Sequence, residues 1–277
     1  MKKIKVLILT GFGLNCDVET AHAFELAGAD AERVHINALI SRKQSLENFH
    51  ILVFGGGFSW GDDHGAGVVQ ALKLKNHIGD DILSFIEKEN LVIGICNGFQ
   101  TLVNLGLLPG LDNDYKARSV ALTWNDCGNF RDQWVNLAVN QNSPCVFTRG
   151  IDSAELPIRH GEGKFVADPN IIDRLISSNQ VVLRYADSNG QKANGQFPLN
   201  PNGSMDDIAG ICDPTGRIFG LMPHPEAFNN FTNHPLWTRK KENLKRQSGK
   251  TGRLDTLTMP PGIHIFKNGV DYMRGFI

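Results

Sequence analysis

The chain has no surplus of either charge: 28 Lys and Arg stand against 29 Asp and Glu, a formal net charge of −1. No long-range field therefore draws it to nucleic acid or to an anionic membrane, and neither is an expected partner. It also lacks any apolar run near the roughly 20 residues that a membrane-spanning helix needs. The opening MKKIKVLILTGFG is basic and then apolar, but its apolar stretch is too short for a signal sequence and no small-residue cleavage site follows. The expected location is cytoplasmic. Cysteine is sparse and poorly spaced for cross-linking. The five thiols (Cys16, Cys96, Cys127, Cys145, Cys212) are odd in number, include no C-x-x-C pair and join no histidine at zinc spacing. Neither a disulfide framework nor a metal site is expected. Such thiols mostly behave as small buried hydrophobes.

Complete nucleotide motifs are missing too. SGKT (248–251) has the ending of a phosphate-binding loop, but Leu244 stands where that loop needs its first glycine, and no strand precedes it. GFGLNC (11–16) carries Cys16 in place of the third glycine of a dinucleotide fingerprint. No cofactor is expected on this chain.

What is present is an ordinary folded composition: 277 residues, 41% hydrophobic, with 29 glycines for tight turns. Short apolar runs at 4–9, 33–37, 51–54 and 91–95 alternate with amphipathic stretches at 17–29, 67–78 and 99–106. That alternation predicts an α/β fold, an open and mostly parallel sheet with helices on both faces. From about residue 117 strand-like runs follow one another, and only 168–178 reads as a helix, so antiparallel strands are expected in the C-terminal half. No Ser/Gly-rich linker intervenes, which favours a single domain over 1–277. Residues 239–253 hold seven basic residues and one acid, the pattern of a solvated surface loop.

The stretch VIGICNGFQ (92–100) places Cys96 between Gly94 and Gly98 at a strand-to-helix junction, the form of a nucleophile elbow with sulfur as nucleophile. The helix N-terminus there favours thiolate. Lowering a thiol pKa by ~2 units takes about 2.7 kcal/mol, roughly twice what a helix end supplies, so a base or cation is needed nearby. LMPHPEAF (221–228) offers one. Pro225 biases His224 toward extended backbone, where His224 and Glu226 face the same side, so the carboxylate can orient the imidazole. The glycines of VFGGGFSWGDDHGAG (53–67) follow a strand directly and let a ligand approach main-chain N–H groups, one way to build an oxyanion hole.

Together these motifs resemble the class I glutamine amidotransferases. With NCDVETAHAFELAGA (15–29), GGFSWGDDHGAG (56–67), HGEGKF (160–165), NPNGS (200–204) and GLMPHPE (220–226), the resemblance narrows to the glutaminase components of phosphoribosylformylglycinamidine synthases and covers most of the chain. It implies Cys96 as nucleophile, His224 as general acid and base, and Glu226 as its orienter. It further implies an oxyanion hole from the N–H groups of Gly56 and Asn97, and a substrate contact from Gln100. Glutamine is then the substrate, ammonia for purine biosynthesis the product, and a synthetase subunit carrying ATP and Mg the partner. Gly55 departs from the pattern, since relatives often carry proline there. Two rival readings are a free-standing cysteine hydrolase of related architecture (γ-glutamyl hydrolase or stress-type peptidase-like), and a redox-sensing scaffold built on Cys96. His160 in HGEGKF reads as a loop histidine sooner than a second base.

Overall fold

The computed structural model describes residues 3–248 and 260–276. The first half runs β1 (Lys5–Thr10), α1 (Asp17–Leu26), β2 (Asp30–His35), α2 (Ile36–Ile40), β3 (Ile51–Phe54), α3 (Val68–Glu87), β4 (Leu91–Ile95) and α4 (Asn97–Leu105). The second runs β5 (Val120–Trp124), β6 (Arg131–Val139), β7 (Ser153–His160), β8 (Glu162–Ala167), α5 (Pro169–Ser177), β9 (Val181–Ala186), β10 (Ile208–Cys212), β11 (Ile218–Leu221), α6 (Trp237–Ser248) and α7 (Pro261–Phe276).

Nine strands form one sheet in the order β2-β1-β3-β4-β11-β10-β9-β6-β7, and β5 pairs with β8 in a separate antiparallel ribbon. From β2 to β11 every pairing is parallel; from β11 to β7 every pairing is antiparallel. The α/β expectation and the antiparallel C-terminal strands both hold. β3, β4 and β11 are buried along their whole length, as strands covered on both faces must be. The path leaves β1 toward β2 and then reverses toward β3 and β4, so right-handed crossovers put α1 and α3 on opposite faces. α3 buries Ala71, Leu74, Ile78, Ile82 and Phe85, a stripe at helical spacing.

Two expectations about the C-terminal half fail. Residues 239–248, expected as loop, lie in α6, where Glu242 pairs with Lys245 and Arg246 at helical spacing and offsets the local basic charge; 249–253 fall outside the described residues. Helix α7 was also unexpected. Its apolar stripe of Ile263, Phe266, Val270 and Met273 is interrupted by Gly262 and Gly269, poor helix formers in isolation. Tertiary packing overrides that weakness: Phe266 meets Phe24 of α1 edge to face at 4.8 Å, and Gly262 lies under the chain at Pro225, where a Cβ would come within 2.1 Å of the Pro225 carbonyl oxygen.

Candidate active site

Four neighbouring parallel strands, β1, β3, β4 and β11, end on the same edge of the sheet, and the loops leaving them build the site. β4 runs straight into Cys96, whose backbone sits at φ 52 and ψ −107. That conformation costs a non-glycine residue on the order of 1–3 kcal/mol and holds the side chain at a sharp bend. Close packing keeps the bend in place. A Cβ on Gly98 would stand 1.9 Å from the Phe54 carbonyl oxygen, and one on Gly94 2.7 Å from that of Gly98. The Cys96 N–H donates to the Leu221 carbonyl at 2.8 Å, and its thiol lies 3.7 Å from the Arg159 carbonyl oxygen.

β11 delivers His224, whose N–H donates to the Pro157 carbonyl at 2.8 Å. The backbone does not continue extended, as the sequence predicts; it turns through a short 3-10 segment at Pro225–Ala227. The pair meets all the same, with His224 Nδ1 2.5 Å from Glu226 Oε1. His224 is 2% exposed and Glu226 fully buried. Burial alone would favour neutral imidazole, but the Glu226 carboxylate, with the Cys96 and Cys16 thiols beside it, outweighs burial and holds His224 well above the ordinary histidine range. With Nδ1 taken, Nε2 is the nitrogen left to act, and among the described residues it has no partner.

The glycines after β3 lie against this imidazole. A Cβ on Gly56 would stand 2.7 Å from His224 Cε1, so only glycine brings its main chain this close. The Gly56 carbonyl accepts from the N–H groups of Asn15 and Cys16, and Phe58 N–H donates to Gly13, so the loop after β1 pins the glycine loop. Asn97 is the first residue of α4, where a backbone N–H has no acceptor within the helix. Gln100 is buried, with Nε2 donating to the Glu162 carbonyl at 2.5 Å and Oε1 accepting from Asn97 Nδ2 at 3.2 Å.

The sequence marks Cys16 as no more than a small hydrophobic thiol, yet its sulfur lies 4.0 Å from His224 Nδ1. Its only signal was its place just beyond β1. Cys16, His224 and Glu226 bring three potential ligand atoms within 4.8 Å of one another, but the 2.5 Å Nδ1 to Oε1 contact leaves no space for an ion between those two. His160 is not a loop histidine: it ends β7, 2% exposed, with Nδ1 on Asn125 Oδ1 at 3.0 Å. Burial, reinforced by the nearby His224, lowers its pKa to about 3, which makes it a poor base.

Residues 3–273 match the family described as the CobB/CobQ-like glutamine amidotransferase domain. The chain belongs to this family. The phosphoribosylformylglycinamidine synthase subunit PurQ of Methanococcus maripaludis is 47% identical over 98% of this chain and 97% of its own. The PurQ subunit of Dehalococcoides mccartyi is 46% identical over 99% of both. The structure of PurLQS from Thermotoga maritima superposes with a TM-score of 0.70 at 27% identity, over 98% of this chain and all of that one. Within the amidotransferases the chain therefore falls among the PurQ subunits. No helix among its described residues is long and apolar enough to cross a membrane.

Proposed function

We propose that this amidotransferase is the glutaminase subunit of a phosphoribosylformylglycinamidine synthase, folded as one domain over 1–277, acting in the cytoplasm and needing no metal or cofactor of its own. The observation that carries the chemistry is the convergence on one buried point of an elbow cysteine and a histidine already bonded to a carboxylate.

His224 Nε2 takes the Cys96 proton, and the thiolate attacks the side-chain amide carbon of glutamine. The oxyanion that forms accepts from the N–H groups of Gly56 and Asn97. Such donors are worth about 10²–10³ in rate apiece. The carbon–nitrogen bond then breaks, His224 returns its proton to the departing nitrogen, and ammonia leaves a glutamyl thioester on Cys96. Water, deprotonated by His224, attacks that thioester; the carbon–sulfur bond breaks and glutamate is released. Glu226 holds Nδ1 throughout and favours the imidazolium that each proton transfer creates. Gln100 contacts the polar end of the substrate. The ammonia is used on a synthetase subunit, which supplies ATP and Mg.

The test is a reconstituted synthase assayed with glutamine and, separately, with ammonium salt. Cys96→Ala is expected to abolish amidine formation from glutamine and leave it intact from ammonia. Retained glutamine-dependent activity would remove Cys96 as nucleophile, and glutamine hydrolysis indifferent to any synthetase would favour the free-standing hydrolase.

A further inference from the structure

Two carboxylates sit beside this site with no assigned role. Asp62 lies in the loop after β3, and Glu162 opens β8. The fold ties them together through the residues next to the nucleophile. Asn97 Nδ2 donates to Asp62 Oδ1 at 2.9 Å and also to Gln100 Oε1, while Gln100 Nε2 donates to the Glu162 main chain. From the other side Ala66 N–H, in the Asp62 loop, donates to Glu162 Oε2 at 3.1 Å.

Among the described residues neither carboxylate has a cationic partner. Burial first, and then the neighbouring Glu162 charge, raise the Asp62 pKa to about 6. Two acids held side by side without a counter-charge are unfavourable unless a cation arrives. The amide that serves Asp62 adds a second sign: Asn97 is fully buried and its own Oδ1 has no partner among the described residues. That atom accepts only, so the ligand it lacks is a donor.

We infer that Asp62 and Glu162 form the subsite for the α-ammonium group of the substrate glutamine, with Asn97 Oδ1 as a further acceptor. This rests on the glutaminase reading and deepens it. An ammonium carries three N–H donors and one positive charge; the site offers two carboxylates and one amide oxygen. In glutamine four bonds separate the reacting amide carbon from that nitrogen. Asn97 directly follows Cys96, so its side chain spans a comparable distance to Asp62. Glutamine is thereby told from any amide that lacks the α-amino group, because a neutral analogue leaves the carboxylates unpaired.

The experiment is titration calorimetry on the assembled complex carrying Cys96→Ala, which blocks turnover so that binding is read alone. The ligands are glutamine and 4-carbamoylbutanoate, which is glutamine without its amino group. Glutamine is expected to bind at least about tenfold more tightly. Adding Asp62→Asn or Glu162→Gln is expected to weaken glutamine by about tenfold or more and to change the analogue by less than about threefold. Both substitutions keep an oxygen where Asn97 Nδ2 or Ala66 N–H donates, so the loop contacts survive. Equal losses for both ligands, or none for either, would overturn the assignment. The glutaminase reading fails separately: a wild-type complex that shows this binding pattern but releases no glutamate keeps the subsite and loses the reaction.

Discussion

At the scale of single residues, Cys96 and Cys16 are equally buried at 5% exposure and each caps the N-terminus of a helix, α4 and α1, yet only Cys96 does so from the strained bend that ends β4. Cys16 touches Nδ1, which Glu226 already holds. Cys16→Ala is therefore expected to keep glutaminase turnover within about tenfold, or ~1.4 kcal/mol, measured as glutamate release. His224→Ala should cost more than Glu226→Gln under saturating glutamine, since the imidazole moves the proton and the carboxylate only orients it; equal losses would give Glu226 another task. Asp62 titrates in a way that bears on stability. Its folded pKa of about 6 lies above the 3.8 of an unfolded carboxyl, so the native state binds the extra proton between those values. Stability then falls as pH rises from about 4 to about 6 and stays lower above that. Asp62→Asn removes the penalty: the variant should melt higher than wild type at pH 7.5 and show no gain at pH 4. Thermal melts at the two pH values decide this, and no gain at pH 7.5 would mean that the ionised carboxylate is better compensated than the site suggests.

At the scale of elements, the elbow and the glycine loop respond oppositely to an added methyl group. Gly98→Ala drives a Cβ into the Phe54 carbonyl and should leave little folded protein, as judged by soluble yield and circular dichroism. At Gly55 a Cβ meets nothing within 4 Å and the backbone is not in the left-handed region. Gly55→Ala should raise stability by about 0.4–1 kcal/mol in denaturant titration, through the unfolded chain. Local signals of this kind were legible in advance. The spacing of Gly94, Cys96 and Gly98 spells a bend, and His224 with Glu226 needs only two intervening peptide bonds to meet. The parallel strands were legible because each is a continuous apolar run. What escaped was set by contacts distant in sequence: α7 forms only because α1 and the Pro225 turn accept its glycine-interrupted face, and Asp62 finds Glu162 only once β3 and β8 are in place. His160 looked like part of a surface loop because neighbouring glycines mask a strand end; Gly163 in fact packs against its ring.

At the scale of the whole molecule, the triad is covered. Cys96, His224 and Glu226 are 5%, 2% and 0% exposed, so glutamine meets them below the surface, among the loops at the strand ends. A synthetase that binds over those strand ends is placed to act on these loops. The isolated chain is therefore expected to hydrolyse glutamine slowly and to gain at least about tenfold when the synthetase, its substrate and ATP are added, a change of ~1.4 kcal/mol. Full activity without the partner would separate burial of the triad from control. The seating of α7 against α1 and beneath Pro225 has a consequence in time. In synthesis this helix is made after every other described element, so a growing chain presents its elbow cysteine to the cell long before the histidine turn has its backing.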